Sequence, residues 1–176
     1  MRDWSRIGES YEVIGSFRGA AFVASILCTL QSSPCDIATY YDAQLIFPEG
    51  WCGLFSRARP GQHAQSGAVE VKKPYYAFRA FAELARLGTQ TAAQMNEEGS
   101  IHVCAAAGEA GQAVLLANFS DDDCRAERIR VHLKNGGNAY AVYKLDKTHN
   151  LEWCGEIADG DLLSMGRCSV VLLKSE

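Results

Sequence analysis

The chain has 176 residues, 48% of them hydrophobic and 22% charged, a balance that supplies a buried core and excludes wholesale disorder. That length suits one ordinary domain, or a small domain with part of another, but not a complete (β/α)8 barrel, which takes ~200 to 250 residues. Lys plus Arg (17) against Asp plus Glu (21) gives a net charge of -4, without the basic excess that neutralising phosphates demands, so nucleic acid is not an expected partner.

Residues 1–14 are mixed and polar and read as a loop leading into structure. From Gly15 to Ser32 the sequence is apolar on nearly every helical face, with Ser16 placed to cap it; such a helix must be buried on several sides. Ser33-Pro34 stops it. Asp36 to Tyr41 has the length and the β-branched and aromatic content of a strand covered on both faces, which suggests α/β packing. Residues 42–73 form a long connection, sticky in its first half (Phe47, Trp51, Phe55) and polar from Arg57 to Ser66. Pro74 to Leu87 is the clearest helix, opened by Pro74, closed by Gly88 and carrying an apolar stripe of Ala77, Phe78, Phe81, Ala82, Leu84 and Ala85.

Beyond Thr89 the hydrophobic period changes from near 3.6 to near 2, which puts a boundary between Gly88 and Gly99. Runs at 101–106, 113–119, 127–133, 139–145, 151–156 and 168–173 predict strands, with turn chemistry at Asn135-Gly136-Gly137-Asn138 and Asp159-Gly160-Asp161. Strands at that spacing make an antiparallel sandwich or small barrel.

Seven cysteines, an odd number without CxxC spacing, favour reduced thiols and a cytoplasmic setting. The first residues lack a secretory pattern, and the longest apolar stretch, Gly19 to Leu30, is shorter than a membrane span requires. His102 and Cys104 share one face of a predicted strand, but no tight metal-ligand spacing exists, and Asp121-Asp122-Asp123 lacks the pattern of a calcium loop. No GxSxG elbow and no phosphate-binding glycine loop is present. Neither a metal nor a cofactor is expected.

The chemistry-bearing region is Thr39 to Gln44 together with Trp51 to Phe55. An aspartate at a strand exit beside a loop carrying Trp and Phe has the composition of a sugar platform, in which aromatic faces pack on a pyranose and a carboxylate accepts from its hydroxyls. The same residues would equally serve if Asp42 capped a turn and the aromatics filled space between loop and helix. A small enzyme using Asp42 with Glu49 or Glu12 is a further reading, although a two-carboxylate mechanism needs a rigid scaffold.

The ordered strings GAAFVASILCTLQ, DIATYYDAQ, WCGLFS and KPYYAFRAFAELARLGT resemble the end of a glycoside hydrolase barrel of the family 39 type, the β-xylosidase and α-L-iduronidase group. The resemblance covers residues 1–90 by motif and the rest by architecture. It implies a fold in which residues 1–90 are the last portion of a (β/α)8 barrel, an α/β fragment, and residues 91–176 an all-β accessory sandwich, mainly β overall. It implies carbohydrate as partner, with Tyr40, Tyr41, Asp42, Trp51 and Phe55 lining the cleft wall. On this mapping the family's two catalytic glutamates are expected upstream of Met1 and have no counterpart here, and Asn96-Glu97-Glu98 lacks the proline of the acid/base motif. The chain alone is therefore expected to be inactive. Its first helix, without barrel neighbours, should expose apolar surface and drive association, for instance as a homodimer. The alternative is a free-standing sandwich that binds carbohydrate or protein, with Tyr140, Tyr143 and Trp153 as candidate aromatics; strand parity sets Tyr140 and Tyr143 on opposite faces.

Overall fold

The computed structural model describes residues 13–41, 43, 53–57, 69–96, 99–120, 125–133 and 139–175. Helix α1 (Phe17–Leu30) starts where the sequence places it, the Ser16 hydroxyl accepting from the Arg18 N–H. Its alanines let it lie close to its neighbours, and Gly19 is demanded by the Ile14 carbonyl, which a Cβ would strike. Two short strands, β1 (Phe55–Arg57) and β2 (Val69–Val71), pair antiparallel within the long connection. Helix α2 (Lys73–Leu87) ends on Gly88 in the left-handed conformation (φ 84), which explains the glycine.

The strands β3 (Thr89–Thr91), β4 (Ile101–Gly108), β5 (Gly111–Asn118), β6 (Glu127–Arg130), β7 (Tyr140–Leu145), β8 (Asn150–Ile157), β9 (Leu162–Met165) and β10 (Ser169–Lys174) follow. A six-stranded sheet has the order β3-β4-β5-β10-β7-β8, and β6-β9 form a separate two-stranded sheet. Every pairing in both is antiparallel. Alternation divides the side chains between two cores. On one face Cys104, Ala106, Leu115, Val170 and Leu172 pack against Ala20, Ala24 and Cys28 of α1 and Ala77, Ala80 and Leu84 of α2. On the other, Leu116, Tyr140, Val142, Val171 and Leu173 meet Leu163 and Met165 of β9. The layers are thus helices, large sheet and small sheet, and burial of each leucine contributes about 2 kcal/mol.

Two expectations need correction. Asp36 to Tyr41 forms no strand, and instead of being covered on both faces Ile37 and Tyr41 are 82% and 81% exposed. A strand needs a neighbouring edge to satisfy its backbone, and no described strand offers one to this segment. The structured residues accordingly hold two helices and antiparallel sheets, with no parallel barrel strand among them. Helix α1, in turn, is buried on the sheet and α2 sides but leaves Phe22 and Ile26 45% and 40% exposed.

Candidate functional site

The first turn of α2 organises the region that the sequence singles out. Lys72 N–H donates to the Leu54 carbonyl (2.9 Å) and Phe55 N–H to Ala43 (3.2 Å), so the segment entering β1 is tied to α2. Phe55 then lies against Tyr75 at 5.3 Å between ring centroids, and Tyr75 against Tyr76 at 5.4 Å and near right angles. Tyr40 is half-buried with its ring edge-on to Phe78 at 5.3 Å. Tyr41, the next residue, is solvent-exposed. Of the five expected wall residues, Tyr40 and Phe55 are thus brought to one helix, Tyr41 stands apart from them in solvent, and Asp42 and Trp51 lie outside the described residues. Glu12 and Glu49 also lie outside them.

Phe78, part of the apolar stripe of this helix, thus seats Tyr40, while Tyr75 and Tyr76 add two aromatics beyond the expected wall residues; Pro74-Tyr75-Tyr76 at a helix start is their signal in the sequence, aromatics at N-terminal positions beside an aromatic loop. An aromatic wall of this kind can pack on the C–H face of a sugar or fill a core.

The helix start is held in place by Lys73. Its Nζ donates to the backbone carbonyls of Asp146 (2.7 Å) and His149 (2.8 Å) in the turn between β7 and β8. Partial burial pulls the Lys73 ammonium down from its ordinary value, against the pull of the Asp146 and Glu152 carboxylates. Within the turn, Asp146 Oδ1 accepts from the N–H groups of Thr148 (2.8 Å) and His149 (2.9 Å), and His149 Nδ1 lies 2.9 Å from it. Burial pushes the Asp146 carboxyl up, but the hydrogen bonds from His149 and Thr148 outweigh it and hold the pKa at about 2, below the ordinary 3.8. A carboxylate depressed in the folded state stabilises above its unfolded pKa, and that stability disappears as pH falls towards the folded value. Acid titration followed by circular dichroism should therefore show stability lost between pH 3.8 and about 2, on the order of 2 kcal/mol, and Asp146→Asn should flatten that slope.

A separate shallow groove of about 340 Å³ runs between α1 and the β4–β5 edge, lined by Ile26, Thr29, Leu30, His102, Phe119 and Ser120. His102 Nδ1 is 3.5 Å from Thr29 Oγ1, and Cys104 Sγ is 3.4 Å from Cys28 Sγ. Among the described residues, no three His, Cys, Asp or Glu side chains come together as a metal would need, nor is any helix long and apolar enough to cross a membrane. On the sheet, Tyr140 is buried on the small-sheet face and Tyr143 looks to the helix face, where its cross-strand neighbour Trp153 is 61% exposed.

No protein-family model matches the chain, and no curated protein matches it in sequence. Solved structures do match. A family 30 endoxylanase from Clostridium papyrosolvens superposes with a TM-score of 0.65 at 15% identity, over 92% of this chain and 39% of that one. The fold is shared with glycoside hydrolases. A β-porphyranase of glycoside hydrolase family 86 from Bacteroides plebeius gives a TM-score of 0.62 at 16% identity, over 93% of this chain and 31% of that one. A conserved exported protein from Bacteroides fragilis gives 0.69 at 15%, over 89% and 33%. The chain therefore spans between 31% and 39% of these three solved chains, and at this identity the likeness is one of fold.

Proposed function

We propose that this chain is the C-terminal part of a retaining glycoside hydrolase of the β-xylosidase and α-L-iduronidase type, the last portion of a (β/α)8 barrel over residues 1–90 and an accessory sandwich over 91–176. In this reading Tyr40, Tyr41, Asp42, Trp51 and Phe55 position sugar along the cleft wall, and the carboxylate pair that breaks the bond belongs to residues outside this chain. The setting is a reducing one, the cytoplasm, on the odd count of seven cysteines. The observation that carries the reading is the extent of the fold match, 92% of this chain against 39% of a family 30 endoxylanase. The order of the four sequence motifs supports the finer assignment to the family 39 type.

The test has two parts. The purified chain should not turn over aryl xylosides or aryl iduronides; hydrolysis that co-purifies strictly with it overturns the inactivity. An antibody against the chain should detect, in lysate of the source cells, a band much heavier than 19.2 kDa, whereas a band at that mass removes the parent enzyme.

Exposed Phe22 and Ile26 (45% and 40%), with Ile37 and Tyr41, also fit a surface that further protein covers. The isolated chain should then self-associate. Light scattering is expected to give a mass rising above 19.2 kDa with concentration, and Phe22→Ser with Ile26→Glu should return it to the monomer. A wild-type chain monomeric at every concentration would contradict this.

One observation favours the free-standing sugar-binding module: exposed Trp153 beside Tyr143 on one sheet face. Calorimetric titration with xylo-oligosaccharides and uronides separates the two, since heat that vanishes in Trp153→Ala supports the module and no heat at all removes it.

A further inference from the structure

Cys28 on α1 and Cys104 on β4 are 76 residues apart in sequence, yet their sulfurs lie 3.4 Å from each other. Both residues are almost fully buried, 3% and 4% exposed, at the interface where α1 packs on the sheet. Two cysteines can serve there simply as small apolar side chains. Their sulfurs, however, face each other across two different elements, and a movement of about 1.4 Å separates them from a bond of ~2.05 Å. The groove beside α1 supplies a way in. Thr29, next in sequence to Cys28, and His102, which shares a strand face with Cys104, both line it and touch each other. Neither cysteine lines the groove itself, so access to the pair requires that one turn at the end of α1 opens.

We propose that Cys28 and Cys104 are an oxidative modification site, a dithiol that a small peroxide converts reversibly into a disulfide locking α1 onto β4. One sulfur attacks the peroxide, the O–O bond breaks, and a sulfenic acid and one water result. The second sulfur attacks the sulfenic sulfur, the S–S bond forms, and its oxygen leaves as a second water. Two thiols are oxidised and one hydrogen peroxide is reduced. The contact with Cys104 and burial push the Cys28 thiol up from its ordinary value, so both thiolate steps wait on the opening that brings solvent to the pair. Thiol reductants reverse the bond by exchange, as expected of a transient disulfide in a reducing compartment.

The test uses the folded full chain. It is exposed to hydrogen peroxide, blocked with N-ethylmaleimide under denaturing conditions, digested without reduction and mapped by mass spectrometry. The expected product is a peptide pair joined through Cys28 and Cys104, at least tenfold more abundant than any other pairing among the seven cysteines, removed by dithiothreitol and absent in Cys28→Ser and Cys104→Ser. Should those variants fold poorly, the wild-type chain unfolded in guanidinium chloride is the control, and there the preference for this pair must vanish. Recovery of both residues as maleimide adducts or as separate sulfinic acids, while exposed Cys35 and Cys154 are oxidised, overturns the proposal. Equal yield of the pair in the unfolded chain does so as well.

Discussion

Replacing Asn118 with leucine is expected to cost about 4 kcal/mol of stability, which in a chain of this size lowers the melting temperature by roughly 10 °C. Asn118 closes β5 and is fully buried. Its Oδ1 accepts from the Ser100 hydroxyl at 2.7 Å, and its Nδ2 donates to the carbonyls of Arg125 (2.7 Å) and Gly166 (2.9 Å). One amide thus joins the entry to β4, the approach to β6 and the turn before β10. Only an amide has an acceptor and two donors in that arrangement. Leucine shares the branched skeleton of asparagine but carries two larger methyl groups, so some overpacking adds to the loss as a hydroxyl and two carbonyls are left without a partner away from water. Asn118→Asp separates the two effects. A carboxylate would face both carbonyls, so that variant should be destabilised near pH 7 and recover as acid protonates it, because burial raises its folded-state pKa. Thermal melts of both variants check this, and a leucine variant within about 1 kcal/mol of wild type would show that the network contributes little. The same bonds commit the amide of Asn118-Phe119-Ser120, a sequence that could otherwise accept an N-glycan, to the interior of the folded chain.

Which features were legible beforehand follows from how local their causes are. Helix α2 could be read because Pro74 and Gly88 are local chemistry, one fixing φ at the first turn and the other taking a positive φ at the last. Strands β4, β5, β7, β8 and β10 could be read because each is an apolar or alternating run of strand length, continuous where the sheet is covered on both faces as in β10 and mixed where it is largely exposed as in β8. Strand β9 escaped because it has four residues and exposes Leu162 at 56% beside buried Leu163, so its alternation is carried by leucines on both faces. Asp36 to Tyr41 misled because β-branched and aromatic content says what a strand would gain from neighbours, not whether neighbours exist. The place of β10 between β5 and β7 depends on long-range pairing that no window of sequence contains. The candidate site divides in the same way. Aromatic composition marked Tyr40 and Phe55, but their common seat on α2, through Phe78 and Tyr75, is a tertiary fact.

Lys73→Met is expected to cost about 2 kcal/mol and to loosen the aromatic wall together with the β7–β8 turn. A lysine in the first turn of a helix opposes the helix dipole, where acidic residues are favoured, so local propensity gives no reason for it. Its reason is distant: the two carbonyls, of Asp146 and His149, lie 73 and 76 residues further along the chain. Methionine keeps the apolar stem against the core and removes the donors, so the loss measures the charge-assisted bonds and not the packing. The turn itself is built by Asp146, whose carboxylate collects Thr148 and His149. Lys73→Met and Asp146→Ala act on one structure and should be non-additive by about 1 kcal/mol in a double-mutant cycle. Hydrogen exchange distinguishes this tie from a general loss of stability. The amides of Thr148 and His149, together with those of Tyr75 and Tyr76, should exchange faster in Lys73→Met, while those of β5 and β10 at the centre of the sheet keep their protection relative to the global transition. Uniform acceleration across all of them would mean that Lys73 adds to overall stability without coupling α2 to the sheet. The local pattern would instead make Lys73 the residue through which the sheet positions Tyr75 and Tyr76, and with them Phe55.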